Sequence, residues 1–213
     1  MIPSKEEMYN AMEQRHGKEL QRKFSSSCVA VCGLGGLGSN IAVSLSRAGV
    51  GKLILIDFDK VDVTNLHRQQ YKASQVGMKK TAALEQNLRE ISPYIELETH
   101  NVRITEDNAA GLLKEADIVC EAFDNAEAKA MLCNFVLGEL QDKYLVAASG
   151  MAGIGSANDI VTRRITKKFY LCGDGVSELA DGDGLFSSRV MVCAAHQAHA
   201  VLRILALNER RSI

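Results

Sequence analysis

Three features of this 213-residue chain predict an α/β fold with a mostly parallel sheet and helices on both faces. Short apolar runs, "CVAVC" and "KLILI" among them, alternate along the chain with amphipathic segments of helical period. A loop with four glycines in six positions, "GLGGLG", joins the first apolar run to the first amphipathic segment. Hydrophobic residues make up 46% and charged residues 24%, enough to bury one sizeable core.

Ser4 followed by Glu7 reads as a capping box that opens a polar helix to about Lys23, ahead of Ser25-Ser26-Ser27. Residues 1–24 are therefore expected to form an N-terminal helical extension to a single domain at 25–213. "CVAVC" is a buried strand, and "NIAVSLSRAG" is a helix closed by Gly49. "KLILIDFD" is a second buried strand ending in carboxylates, and "KVDVTNLHRQQYKASQVG" is a polar loop. "KKTAALEQNLREI" is a helix stopped by Ser92-Pro93. Strands near 95–102 and at 117–121, with a short helix at 108–115 between them, precede a helix at 126–140. "YLVAAS" and "DIVTRRI" supply two more strands. Residues 169–188, glycine-rich and acidic, read as a mobile loop before an apolar helix at 190–207.

A formal charge of −1 and a pI near 6.5 give no basic field to recruit nucleic acid. The longest apolar stretches fall short of a bilayer span, and "MIPSKEEMYNAMEQ" lacks a hydrophobic signal region, so a cytoplasmic protein without membrane contact is expected. The six cysteines form no CxxC pair and lie mostly in apolar runs, as reduced, buried thiols would.

Gly33, Gly35 and Gly38 fit GxGxxG, and Asp57 lies 19 residues beyond Gly38 at the end of the second strand. Phosphates require backbone N–H groups at a helix N-terminus, and ribose hydroxyls require such a carboxylate. The pattern is Rossmann-like and by itself also suits an NAD-dependent oxidoreductase. Past Asp57, however, "DFDKVDVTNLHRQ" gathers Asp59, Asn65, Arg68 and Gln69, and "GMKK" adds Lys79 and Lys80. A cationic cluster opposite a glycine loop suits a triphosphate, whose charge exceeds what backbone amides neutralise. GxxxxGK[ST] is absent, so the cations must come from outside the loop.

This combination resembles the ubiquitin-activating-enzyme-like family of ThiF, MoeB and HesA from Phe24 to Leu205. "GLGGLGSNIAVSLSRAGVGKLILIDFDKVDVTNLHRQ" matches the family's nucleotide segment almost position for position. The resemblance implies that Gly35 and Gly36 lie against ATP phosphates, that Asp57 holds the ribose, and that Asn65, Arg68, Gln69 and Lys80 contact the polyphosphate. Lys80 is favoured over Lys79 because the family lysine follows the glycine matched by Gly77 by three positions. Asp124 of "FDNAEAK" matches the family's magnesium-binding aspartate. The implied reaction is attack on the α-phosphate of Mg-ATP by the C-terminal glycine carboxylate of a ubiquitin-like sulfur carrier. Among family members the chain is most like those that serve a ThiS-like carrier in thiamine biosynthesis.

The resemblance also implies a homodimer in which an N-terminal arginine, here Arg15, reaches the partner's ATP. Relatives' paired CxxC motifs for zinc are missing, so no zinc is expected. Cys193, His196 and His199, at i, i+3 and i+6 on an apolar helix, read as core or contact residues before a metal site. Cys172, in the expected loop, is a candidate thiol for carrier or sulfur transfer. An ATP-dependent tRNA-modifying dehydratase of the same family is the alternative within it, and a silent scaffold for a ubiquitin-like partner the alternative outside catalysis.

Overall fold

In the computed structural model, residues 2–178 and 184–207 are described. Ser4 accepts the Glu7 N–H and Glu7 accepts the Ser4 N–H, which completes the capping box on α1 (Lys5–His16). The single helix expected to Lys23 is in fact two, because Gly17 at φ 85° ends α1 and α2 (Lys18–Ser25) starts afresh. Gln21 and Phe24 of α2 are buried, Phe24 within the main hydrophobic core and Gln21 with its Nε2 donating to the Gly49 carbonyl.

The sequence then alternates strand and helix. β1 (Cys28–Cys32) leads through the glycine loop to α3 (Gly36–Arg47) and β2 (Lys52–Ile56). α4 (Lys80–Ile91), β3 (Glu96–His100), α5 (Glu106–Leu112) and β4 (Ile118–Glu121) follow, then α6 (Ala126–Glu139) and β5 (Tyr144–Ala148). β6 (Val161–Arg164), β7 (Phe169–Gly173) and α7 (Ser187–Leu207) are the last elements among the described residues. The seven strands run in the order β3-β2-β1-β4-β5-β7-β6, all parallel except the β6–β7 pair.

Alternation of side chains across the sheet divides the core. Val29, Val31, Leu53 and Leu55 pack with Ile41, Leu84 and Val201 from the helices of one face, while Ala30, Cys32, Ile54 and Ile56 pack with Leu113, Leu132 and Val136 on the other. A sheet buried on both faces needs strands that are apolar throughout, which is why "CVAVC" and "KLILI" show no polar alternation. Helix α7 is long and apolar enough to match a bilayer span by composition, but half of it is buried, packed against α3 and the sheet.

The expected loop at 169–188 begins as β7, which pairs with β5 and β6. Cys172 therefore sits in a strand, fully buried, where the sequence placed it in a mobile loop. Residues 179–183 of that segment lie outside the described residues.

Candidate functional site

Strand order reverses between β1 and β4, and a crevice opens at the carboxyl ends of the parallel strands on either side of that point. The cleft has a volume of about 830 Å³ and is lined by residues that follow β1, β2, β3, β4, β5 and β7.

The glycine loop forms its floor. Gly33 takes φ 90°, and a side chain there would meet the Ala122 carbonyl. A side chain on Gly38 would collide with the Gly33 carbonyl, so Gly38 sets how closely α3 approaches the strand exit and does not itself line the cleft. Gly35 and Gly36 do line it. Gly35 is the N-cap of α3 with no side-chain cap, so the first N–H groups of the helix meet the cleft without intrahelical partners.

Two buried groups hold the loop in place. Asp57 accepts the Leu34 N–H at 2.6 Å and the Asp59 N–H at 2.7 Å, while the Tyr71 hydroxyl donates to the Leu34 carbonyl at 2.8 Å. Asp57 thus ties the second strand to the glycine loop, and the half-exposed side chain of Asp59 is the carboxylate more open to a ligand. Lys80 is buried at the start of α4, its Nζ 2.8 Å from Asp59 and 4.0 Å from Asp57. Lys79, exposed, does not line the cleft.

Arg68 and Gln69 line the same wall. The Arg68 guanidinium donates to the Thr64 carbonyl at 3.1 Å and is half-exposed. Gln69 is buried, and its Oε1 has no hydrogen-bond partner. An orphaned buried acceptor at a cleft wall calls for a donor, which a sugar hydroxyl or an amino group supplies and a phosphate oxygen does not. Asn65 is not brought into the lining. Its side chain folds back to accept the Asp62 N–H and caps its own turn.

Asp124 lines the opposite wall after β4 and is exposed. The neighbouring Asn125, not Asp124, caps α6 by accepting the Ala128 N–H. The sequence did not single out Glu121 or Lys129 beside it. Lys129 lines the cleft and donates to both Glu121 oxygens at 2.9 Å and to the Phe123 carbonyl at 2.8 Å. Burial raises the pKa of Glu121, and Lys129 opposes that shift. A glutamate at the end of an apolar strand with a lysine eight residues on was the available signal. Arg103 and Phe58 were also missed; the guanidinium lies 4.1 Å from the ring centroid, and both side chains line the cleft beyond β2 and β3.

Three expectations lie elsewhere in the molecule. Burial pushes the Cys172 thiol up to about 11, against a smaller opposing effect of the Thr162 hydroxyl at 3.5 Å, and Cys172 does not line the cleft. A buried thiol of raised pKa is a poor nucleophile, so the loop-thiol expectation loses its structural basis. Arg15 is exposed near the end of α1 and is not part of the lining of its own chain's cleft. Cys193 is buried, His196 Nδ1 is 2.9 Å from Thr162 Oγ1, and His199 is exposed; among the described residues these three do not converge, nor does any other group of His, Cys, Asp and Glu fit for a metal.

The sequence signature of the ThiF family matches residues 9–212. The chain belongs to the ThiF family. Curated relatives of this ThiF-family chain include the adenylyltransferase and sulfurtransferase MOCS3 of Anopheles gambiae, 32% identical over 201 residues, 91% of this chain and 44% of that protein. Ubiquitin-like modifier-activating enzyme 5 of Xenopus laevis is 34% identical over 189 residues, 83% of this chain and 47% of its own length. The ThiF-family chain thus spans less than half the length of these two relatives. Its fold is shared with the tRNA N6-threonylcarbamoyladenosine dehydratase TcdA of E. coli solved with ATP, at a TM-score of 0.86 and 20% identity over 97% of each chain. E. coli MccB with ATP superposes at 0.67 and 21% identity over 93% of this chain and 63% of that one.

Proposed function

We propose that this chain is an adenylyltransferase that activates a carboxylate with Mg-ATP, releasing pyrophosphate and forming an acyl-adenylate. One observation carries the reading: a buried lysine, Lys80, and Arg68 flank a glycine-loop helix N-terminus with Asp124 across the cleft. A dinucleotide enzyme has no need of two cations beside its glycine loop, whereas an anionic carboxylate approaching a triphosphate does. The orphaned Gln69 Oε1 fits a nucleotide by offering an acceptor to its sugar or base.

Arg68 and Lys80 draw charge off the phosphates while the N-terminal N–H groups of α3 orient them. A carboxylate is ionised at neutral pH, so no protein base is needed. Its oxygen forms the new bond to the α-phosphorus as the bond to the bridging oxygen breaks and leaves with pyrophosphate. Asp124, a single exposed carboxylate facing the phosphate region, fits magnesium, which takes one or two carboxylates and completes its shell with phosphates and water. Bound there, the ion would neutralise phosphate charge.

Two carboxylates are in contention. The C-terminal glycine of a ubiquitin-like carrier is supported by the sequence relatives, two of which are named for sulfur transfer or for activating a ubiquitin-like modifier. The carboxylate of a tRNA threonylcarbamoyladenosine is supported by superposition on a dehydratase of that nucleoside along nearly the whole of both chains. A thiamine-pathway carrier rests on the sequence resemblance alone. Calorimetric titration with ATP and with NAD, followed by pyrophosphate release assays with a glycine-ended carrier and with threonylcarbamoylated tRNA, tests the proposal. ATP binding and pyrophosphate release with one substrate is the expected result; NAD binding without ATP binding overturns it.

A further inference from the structure

Beyond the triphosphate region the cleft wall is built from two loops and the start of α7, and one buried ion pair ties them together. Arg189, the third residue of α7, and Asp174 are each about 6% exposed at the side chain, with Nη2 2.6 Å from Oδ2. Arg189 Nη1 donates to the carbonyls of Gly155, at 2.6 Å, and Ser156. The other oxygen of Asp174 accepts the N–H groups of Val176 and Ser177 at 2.9 Å. Burial alone would raise the Asp174 pKa, but those N–H donors and the guanidinium hold it well below the usual carboxylate range.

Backbone contacts continue the same junction. The Asp174 N–H donates to the Gly150 carbonyl and the Gly175 N–H to the Ser149 carbonyl, each at 3.0 Å, and the Ala152 N–H donates to Ser177 Oγ at 3.1 Å. Gly150 takes φ 81°, and a side chain there would collide with the Asp174 carboxylate. Ser149, Gly150, Met151 and Ala152 line the cleft from one loop, Ser177 and Glu178 from the other.

A buried cation in the first turn of a helix opposes the helix dipole, so the position of Arg189 does not serve the stability of α7. Its fork instead bridges the loops at 155–156 and 174–177, while the next residue, Val190, faces Gly36 of the glycine loop. We infer that the Asp174–Arg189 pair is a positioning pair for the acyl substrate: it sets the wall against which the carboxylate-bearing group lies, while the β1 and β2 side holds the nucleotide. This rests on the adenylation reading for the identity of the second substrate, but not for the loop geometry or for its independence from ATP.

Arg189→Lys keeps the charge and loses the fork that reaches two segments at once. The test combines three measurements on this variant and on Asp174→Asn. They are ATP affinity by calorimetry, amide hydrogen exchange across 149–156, and the KM of whichever acyl probe, glycine-ended carrier or threonylcarbamoylated tRNA, supports pyrophosphate release. Expected are at least tenfold faster exchange in 149–156, ATP affinity within about twofold of wild type, and an acyl-substrate KM raised tenfold or more with smaller change in kcat. ATP affinity falling in parallel with the loosening of 149–156, or unchanged exchange and KM in folded variants, overturns the inference. If wild type releases pyrophosphate with neither probe, the adenylation reading fails by itself. Hydrogen exchange and ATP affinity then still decide whether the pair holds this wall independently of the nucleotide side.

Discussion

Lys80, Arg68 and Asp124 come from three different segments, and the structure aims all three at one cleft. Alanine at any of them should cut carboxylate-dependent turnover by a factor of roughly 10² to 10³, the size of one lost preorganised contact to a developing charge. The rate of pyrophosphate release by each variant, with circular dichroism to confirm folding, measures it. Cys172 behaves otherwise: with its thiol pushed up to about 11 from 9, its thiolate fraction at pH 8 is lower by about a hundredfold. Alkylation of the native protein by iodoacetamide should leave Cys172 unmodified under conditions that label the urea-unfolded chain, and Cys172→Ala should leave pyrophosphate release intact. Because the folded state holds this proton more tightly than the unfolded state, the associated stability is complete below about pH 9 and lost between pH 9 and 11. At this scale the sequence revealed Asp57, Arg68 and Lys80, which their spacing singled out and which the structure brings to one cleft. Asp174 and Arg189 were not legible, because each acquires its role only from a partner across the fold, and Glu121 and Lys129 carried no signal beyond their eight-residue spacing.

Among elements, the glycine loop and α3 show how two glycines of one motif have separable duties. Gly38→Ala drives a methyl group into the Gly33 carbonyl and should cost more than about 2 kcal/mol, or prevent folding. A side chain at Gly35 finds only the Gln69 amide at 3.7 Å, so Gly35→Ala should keep stability within about 1 kcal/mol while crowding the phosphate side of the cleft. Urea unfolding and ATP titration of the pair separate the two effects. The buried strands β1, β2 and β5 were legible as apolar runs, and the helices from their periodicity and caps. β7 was not, because "FYLCG" runs into a glycine-rich, acidic stretch and becomes a strand only by pairing with β5 and β6. The break between α1 and α2 was hidden in one glycine within an otherwise continuous polar helix.

The whole molecule places its nucleotide side, built on β1 and β2, across a crevice from a wall built on β5, β7 and α7. Arg15 stands outside this crevice in its own chain, so its expected action requires a second copy of the chain. Mixing Arg15→Ala and Lys80→Ala chains should then restore part of the lost activity, since a mixed dimer keeps one site with both side chains; no recovery in verified heterodimers removes Arg15 from the site. The central claim, that this cleft joins a carboxylate to the α-phosphate of ATP, is tested most directly by isotope exchange between pyrophosphate and ATP. The account predicts label entering ATP only when magnesium and either a glycine-ended carrier or threonylcarbamoylated tRNA are present, with the exchange collapsing in Lys80→Ala. Exchange with neither substrate by a protein that binds ATP, or release of ADP and orthophosphate in place of pyrophosphate, would contradict it.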